Sequence, residues 1–233
     1  MGSTLAGGAL VPLAAITLAW QFASLPSLPP ERGSRAARSA LGVLRSTQAR
    51  YGVAAVTLFF MGQFALFTYL RPFLETVTRV NVSTLSVILL IIGGAGLLGT
   101  YLIGPALKRL FYSLLIGMPL AMSVIAVALI ALGSSCVGTA LLLGGWGLIG
   151  TAAPVAWWTW LSRTMPDDAE AGGGLMVAAI QLAITLGAAT GGWLFDSRGY
   201  ESTFGVSAAL LVGSALVAVA ASRATRPAVS AVA

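Results

Sequence analysis

Residues 85–98 read LSVILLIIGGAGLL, fourteen positions with one serine and no charge. They lie inside an apolar run from Ser83 to Leu107. A helix needs about twenty such residues to cross a hydrocarbon core about 30 Å thick. A membrane-barrel strand would alternate polar and apolar positions over about ten residues, and this run does not. Similar runs recur along the chain, separated by short segments that collect most of its charges. Composition agrees: 58% of the 233 residues are hydrophobic and 9% are charged, where a soluble domain carries about a quarter charged. Lipid offers backbone amides no partners, so the expected fold is all-α, a polytopic bundle of transmembrane helices.

Seven spans are predicted: Leu5 to Leu25, Tyr51 to Leu70, Ser83 to Leu107, Phe111 to Leu132, Val137 to Leu161, Gly174 to Phe195 and Thr203 to Ser222. The polar segment from Pro26 to Arg50 carries Arg32, Arg35, Arg38, Arg45 and Arg50 against the single acid Glu31, a cytoplasmic marker. Alternating the spans from it puts Lys108, Arg109, Arg163, Arg223 and Arg226 on the same side. Arg71, Arg79 and Arg198 then fall on the other. The C-terminus is thus expected in the cytoplasm and the N-terminus outside. The net charge of +6 reads as topology, with anionic headgroups as a further partner of the basic segment, and no nucleic-acid surface is expected. No signal peptide is expected either, since no basic residue precedes the first apolar run and no small-residue cleavage pattern follows it.

The chemistry is bounded by what the chain lacks. It has no histidine and one cysteine, Cys136, which removes His-based catalysis, an internal disulfide and a cysteine metal site. No Asp, Glu, Lys or Arg falls in the middle of a span, as a voltage sensor, ion pump or self-contained proton relay would require. No cofactor, metal or enzymatic activity is expected.

Polar and aromatic residues inside the spans are the site candidates. Phe60, Gln63, Phe67 and Arg71 have helical spacing and form one stripe on the second span. The Gln63 carboxamide either touches a ligand or holds two helices together. Arg71 is expected to snorkel to the interface with Glu75 as partner. The stretch from Pro154 to Gly199, PVAWWTWLSRTMPDDAEAGGGLMVAAIQLAITLGAATGGWLFDSRG, holds the rest. Trp160 reads as an interfacial anchor. One of Trp157 and Trp158 continues the Gly150 and Pro154 face, where a ring can stack on a planar ligand. Gln181, Thr185, Ala188 and Gly192 share a face that reads as bundle interior or wet cavity. Asp196 is expected to cap its helix or pair locally. The dense glycines, including Gly93, Gly94 and Gly96, Gly144, Gly145 and Gly147, and Gly187 with Gly191, are expected to let helix backbones approach.

Several motifs together resemble a known family. They are Leu25-Pro26-Ser27-Leu28-Pro29 before a basic loop, Gly62-Gln63-Phe64-Ala65, Phe67-Thr68-Tyr69-Leu70-Arg71-Pro72, and Gly99-Thr100 with Lys108-Arg109. Trp157 to Trp160, Ile180-Gln181-Leu182-Ala183, Gly187-Ala188-Ala189, Gly191-Gly192, Asp196 and Gly199 complete the set. The chain resembles the C-terminal part of major facilitator superfamily efflux transporters, in the drug/proton antiporter branch, and within it purine-ribonucleoside efflux pumps. The resemblance covers residues 5–222. It implies that the spans are the sixth to twelfth of a twelve-helix transporter: 1–25 the last helix of a missing N-terminal half, 26–50 the cytoplasmic linker, 51–222 the six-helix C-terminal bundle, and 223–233 a cytoplasmic tail. It further implies a multi-pass protein of the cell (inner) membrane that exports a small polar molecule by proton antiport and alternating access. The acidic coupling residue would lie in the missing half, and the copy of the signature loop at Lys108 and Arg109 has no Asp. The implied substrate wall is Gln63, Phe67, one of Trp157 and Trp158, Gln181 and Thr185. The alternative is a truncated half-transporter that serves at most as an assembly partner.

Overall fold

In the computed structural model the described residues are 44–166 and 169–224, together with Leu18, Trp20, Ser24 and Gly42. The chain forms two units, Met1–Ala36 and Ala37–Ala233. In the first, Leu18, Trp20 and Ser24 are helical and exposed, and the rest of the expected first span lies outside the described residues. So do most of the 26–50 segment and the 225–233 tail.

The second unit consists of α1 (Thr47–Phe67), α2 (Leu70–Thr76), α3 (Val82–Leu132), α4 (Cys136–Thr164), α5 (Ala169–Arg198) and α6 (Tyr200–Ala224). No strand occurs among the described residues. Polar residues start three of the helices by accepting from first-turn amides: Ser46 from Ala49, Asn81 from Thr84 and Ser135 from Gly138. Five stretches, with α1 and α2 taken as one, are long and apolar enough to cross a membrane. The second unit is a polytopic helical bundle.

The 51 residues of α3 would extend about 75 Å as one straight helix, more than twice a hydrocarbon core. Leu110, at φ −124° and ψ 36°, breaks it. On the first arm Ile92 packs against Gly147 and the Thr151 hydroxyl bonds the Gly96 carbonyl, so numbering rises together and this arm runs parallel to α4. On the second arm Ile125 lies against Gly145 and Met122 against Gly150, so that arm runs antiparallel to α4. The chain therefore reverses at Leu110, where two spans were expected. It does so without the expected connecting loop, because Lys108 and Arg109 remain helical.

The first helix, α1, packs chiefly on α6 and α5. Antiparallel to it, α6 donates from Ser207 to the Gly62 carbonyl at 2.7 Å and from Ser214 to the Ala55 carbonyl at 2.8 Å. Parallel to it, α5 seats Gly187 and Gly191 directly on the Met61 and Ala65 carbonyls. Of the five membrane-length stretches α5 is the least buried. The close-approach reading holds at Gly96, Gly99, Gly147, Gly187 and Gly191, but not at Gly93 and Gly94, which are exposed with nothing within 4 Å of an added Cβ. Exposed Leu90, Leu97 and Tyr101 give the first arm of α3 an apolar outer surface suited to lipid.

Candidate functional site

The α1 stripe is shorter than its spacing predicts. Phe60 is buried, Gln63 is half-buried and Phe67 is 38% exposed. The helix then breaks at Thr68 and Tyr69, where Tyr69 sits at φ −104° and ψ 13°, so Arg71 belongs to α2 and leaves the stripe. There it is exposed and pairs with Glu75 at 2.8 Å, one turn on. Gln63 turns towards α4. Its Nε2 is 3.5 Å from the Gly150 carbonyl, beyond the usual range for N–H···O bonds. Its Oε1 is buried without a hydrogen-bond partner.

On α4, Trp146, Gly150, Ala153, Trp157 and Trp160 follow helical spacing and all are buried. Trp157 is the residue that continues the Gly150 face, packed near Phe59 and Trp160 with ring centroids 6.4 and 6.2 Å away. Trp158 lies on another face, 42% exposed, its ring edge beside Gly173 of α5. Trp160 is not an interfacial anchor: it is 1% exposed and its ring rests on Gly52 of α1. A glycine there removes the side chain that would hold the indole out.

The α5 stripe divides. Gln181 and Thr185, near the middle of the helix, are exposed, with the Thr185 hydroxyl donating to the Gln181 carbonyl at 2.9 Å. The Gln181 carboxamide remains on the open surface. Further along, the Ala188 carbonyl accepts from the Tyr69 hydroxyl at 3.0 Å, and Gly192 is buried against the same ring. That end is helix packing and not cavity. Asp196 is exposed near the end of α5. Gly199 terminates the helix at φ 82°, its amide donating to the Phe195 carbonyl at 3.1 Å, a conformation that favours glycine.

The candidates thus separate into an open set, Phe67, Trp158, Gln181 and Thr185, and an inward pair between α1 and α4, the half-buried Gln63 and the buried Trp157. A third cluster has no signature in the sequence. Near the start of α1 Gln48 Nε2 reaches the Tyr112 hydroxyl at 3.4 Å and the Thr164 hydroxyl at 3.5 Å, and Arg163 lies 4.2 Å over the Phe111 ring. It joins α1, the second arm of α3 and α4 from three distant segments. Likewise Ser207 and Ser214 gave no sign of bonding α1, because a serine in an apolar run bonds its own helix equally well. No cluster of three or more His, Cys, Asp or Glu suited to a metal occurs among the described residues.

No family model matches the chain. Over 224 residues it is 48% identical to a protein of Pseudomonas aeruginosa named transcription regulatory protein OpdE, covering 94% of this chain and 55% of that one. Over 206 residues it is 36% identical to the purine ribonucleoside efflux pump NepI of Salmonella typhimurium, covering 88% of this chain and 52% of the pump. The pump of Salmonella enteritidis matches to the same extent. The chain spans about half the length of the curated relatives it matches.

Proposed function

We propose that this chain is the C-terminal portion of a major facilitator efflux permease of the drug/proton antiporter branch, which exports a small polar molecule of the purine nucleoside class. The observation that carries this reading is the placement of Gln181 and Thr185, exposed near the middle of the least buried membrane-length helix. A carboxamide at that depth is costly against lipid and calls for a polar solute, water or a facing helix. Phe67 and Trp158 would supply apolar, stacking surface to the same path. Similarity to nucleoside efflux pumps supports the substrate class. In this reading the permease works by alternating access, with the facing wall and the acidic group that carries the proton supplied by an N-terminal half. The C-terminus and the basic ends of the helices lie in the cytoplasm of a cell with the protein in its inner membrane.

The test is export of radiolabelled inosine from cells carrying the whole transporter against a deletion strain. Gln181→Ala should slow export about tenfold, the loss of one hydrogen bond of about 1.4 kcal/mol, with membrane abundance unchanged. Equal retention of inosine in both strains would sink the substrate class, and abundance falling in step with export would make Gln181 structural.

A second reading stands beside it: a half-transporter without transport activity of its own, serving at most as an assembly partner. Reading the DNA beside the gene decides between them. Continuous or adjoining coding sequence for about five further spans, one with an intramembrane acid, supports the permease, and its absence supports the remnant.

A further inference from the structure

Buried polar side-chain atoms are seldom left without a partner, because the water they give up is then not replaced. Among the described residues five such atoms are unpartnered: Thr78 Oγ1, Gln63 Oε1 and the indole nitrogens of Trp146, Trp157 and Trp160. Gln63, Trp157 and Trp160 meet where α1 lies against α4. The three indoles are each about 98% buried or more. Trp157 and Trp160 lie against Phe59 and Gly52 of α1, and Trp146 stands on the same stripe of α4, with the small residues Gly150 and Ala153 between Trp146 and Trp157. Gln63 enters that gap, its amide nitrogen against Gly150.

The two ends of the seam differ. Near the start of α1 Trp160 is seated on Gly52, and Gln48 bridges to Thr164 and Tyr112. At the other end the polar tie is the 3.5 Å contact from Gln63 to the Gly150 carbonyl. Separation therefore costs least at Gln63 and is resisted most at Gly52.

We propose that the α1–α4 seam is a ligand site that opens at Gln63 and takes the edge of a flat, uncharged heteroaromatic ring between Gln63 and Trp157. This deepens the transport reading and rests on it. The ligand class follows from the groups present. An indole N–H only donates, so the ligand must offer it an acceptor, and Gln63 Oε1 only accepts, so the ligand must offer it a donor. A nucleobase edge carries both, side by side. No ionisable side chain lies on α1 between Gly52 and Phe67 or on α4 between Trp146 and Trp160, so a net charge on the ring would find no counter-ion. Phe59, 6.4 Å from Trp157 and 5.4 Å from Phe60, supplies faces against which a planar ring can stack.

The test uses the full 233-residue chain in lipid nanodiscs with inosine as probe. Binding is followed with radiolabelled inosine, and the hydrogen bonding of the indoles by ultraviolet resonance Raman spectroscopy. Saturable binding should be accompanied by one indole N–H passing from free to hydrogen-bonded. Trp157→Phe should abolish that spectral change and weaken Kd at least tenfold. Gln63→Leu, which keeps all three tryptophans and serves if Trp157→Phe does not fold, should weaken Kd about tenfold while the change at saturation persists. Saturable binding with the indole band unmoved, or with a band change that survives in Trp157→Phe, overturns the seam site and leaves the transport reading standing. Absence of saturable inosine binding overturns the nucleobase ligand, and export assays on the whole transporter then judge transport separately.

Discussion

Replacing Gly191 by alanine tests the seat on α1 of α5, the helix that carries Gln181 and Thr185. An added Cβ at Gly191 would meet the Ala65 carbonyl of α1, and one at Gly187 the Met61 carbonyl. Both obstacles are backbone held in a buried helix, so neither can turn aside as a flexible side chain would, and α5 must move off α1. Overpacking of this kind costs about 1–3 kcal/mol. Against it stands the better helix propensity of alanine, up to about 1 kcal/mol. Because the obstacle is backbone the cost falls towards the upper end, and the net expectation is a loss of about 2 kcal/mol for Gly191→Ala and a similar loss for Gly187→Ala. Once α5 has moved for one methyl the second meets less resistance, so the double variant should lose less than the sum. Gly205→Ala is the matched control: it is exposed, has nothing within 4 Å of its added Cβ, and should be neutral or slightly stabilising. The assay is reversible unfolding in mixed micelles, followed by tryptophan emission. If Gly187→Ala and Gly191→Ala behave like Gly205→Ala, α5 does not sit on the α1 carbonyls and the assembly of the site is wrong.

Two further outcomes are expected beside those for Gln181 and for the seam. Ser207→Ala and Ser214→Ala each remove a buried bond from α6 to an α1 carbonyl, and each should lower stability in the same assay by about 0.5–1.5 kcal/mol; no loss in either would make these contacts incidental. Cys136, exposed at the start of α4, should react with an impermeant maleimide in intact cells, whereas a cysteine at Lys108 in a Cys136→Ser background should react only after permeabilisation. The reverse pattern would invert the orientation assigned from the basic residues.

The one-dimensional pattern was enough for the fold class and for most helix positions. Apolar runs of membrane length exclude other backbone solutions. Arg71 with Glu75 was legible for the same reason, being four residues apart on one helix. Facing was not legible. Helical spacing puts Phe60, Gln63 and Phe67 on one stripe, but which neighbour that stripe meets depends on how α1 rotates against α4. The sequence left Trp157 and Trp158 undivided and pointed Trp160 to the interface, and only the packed bundle sends Trp157 and Trp160 inward and Trp158 out, with Gly52 making room for Trp160. The reversal at Leu110 and the division of the α5 stripe at Tyr69 likewise come from contacts between residues far apart in the chain. Periodicity assigns a residue to a face of its own helix. What that face touches is decided by the close approach of other helices, and here the glycines that allow it read alike whether they are buried, as Gly191 is, or open, as Gly93 is.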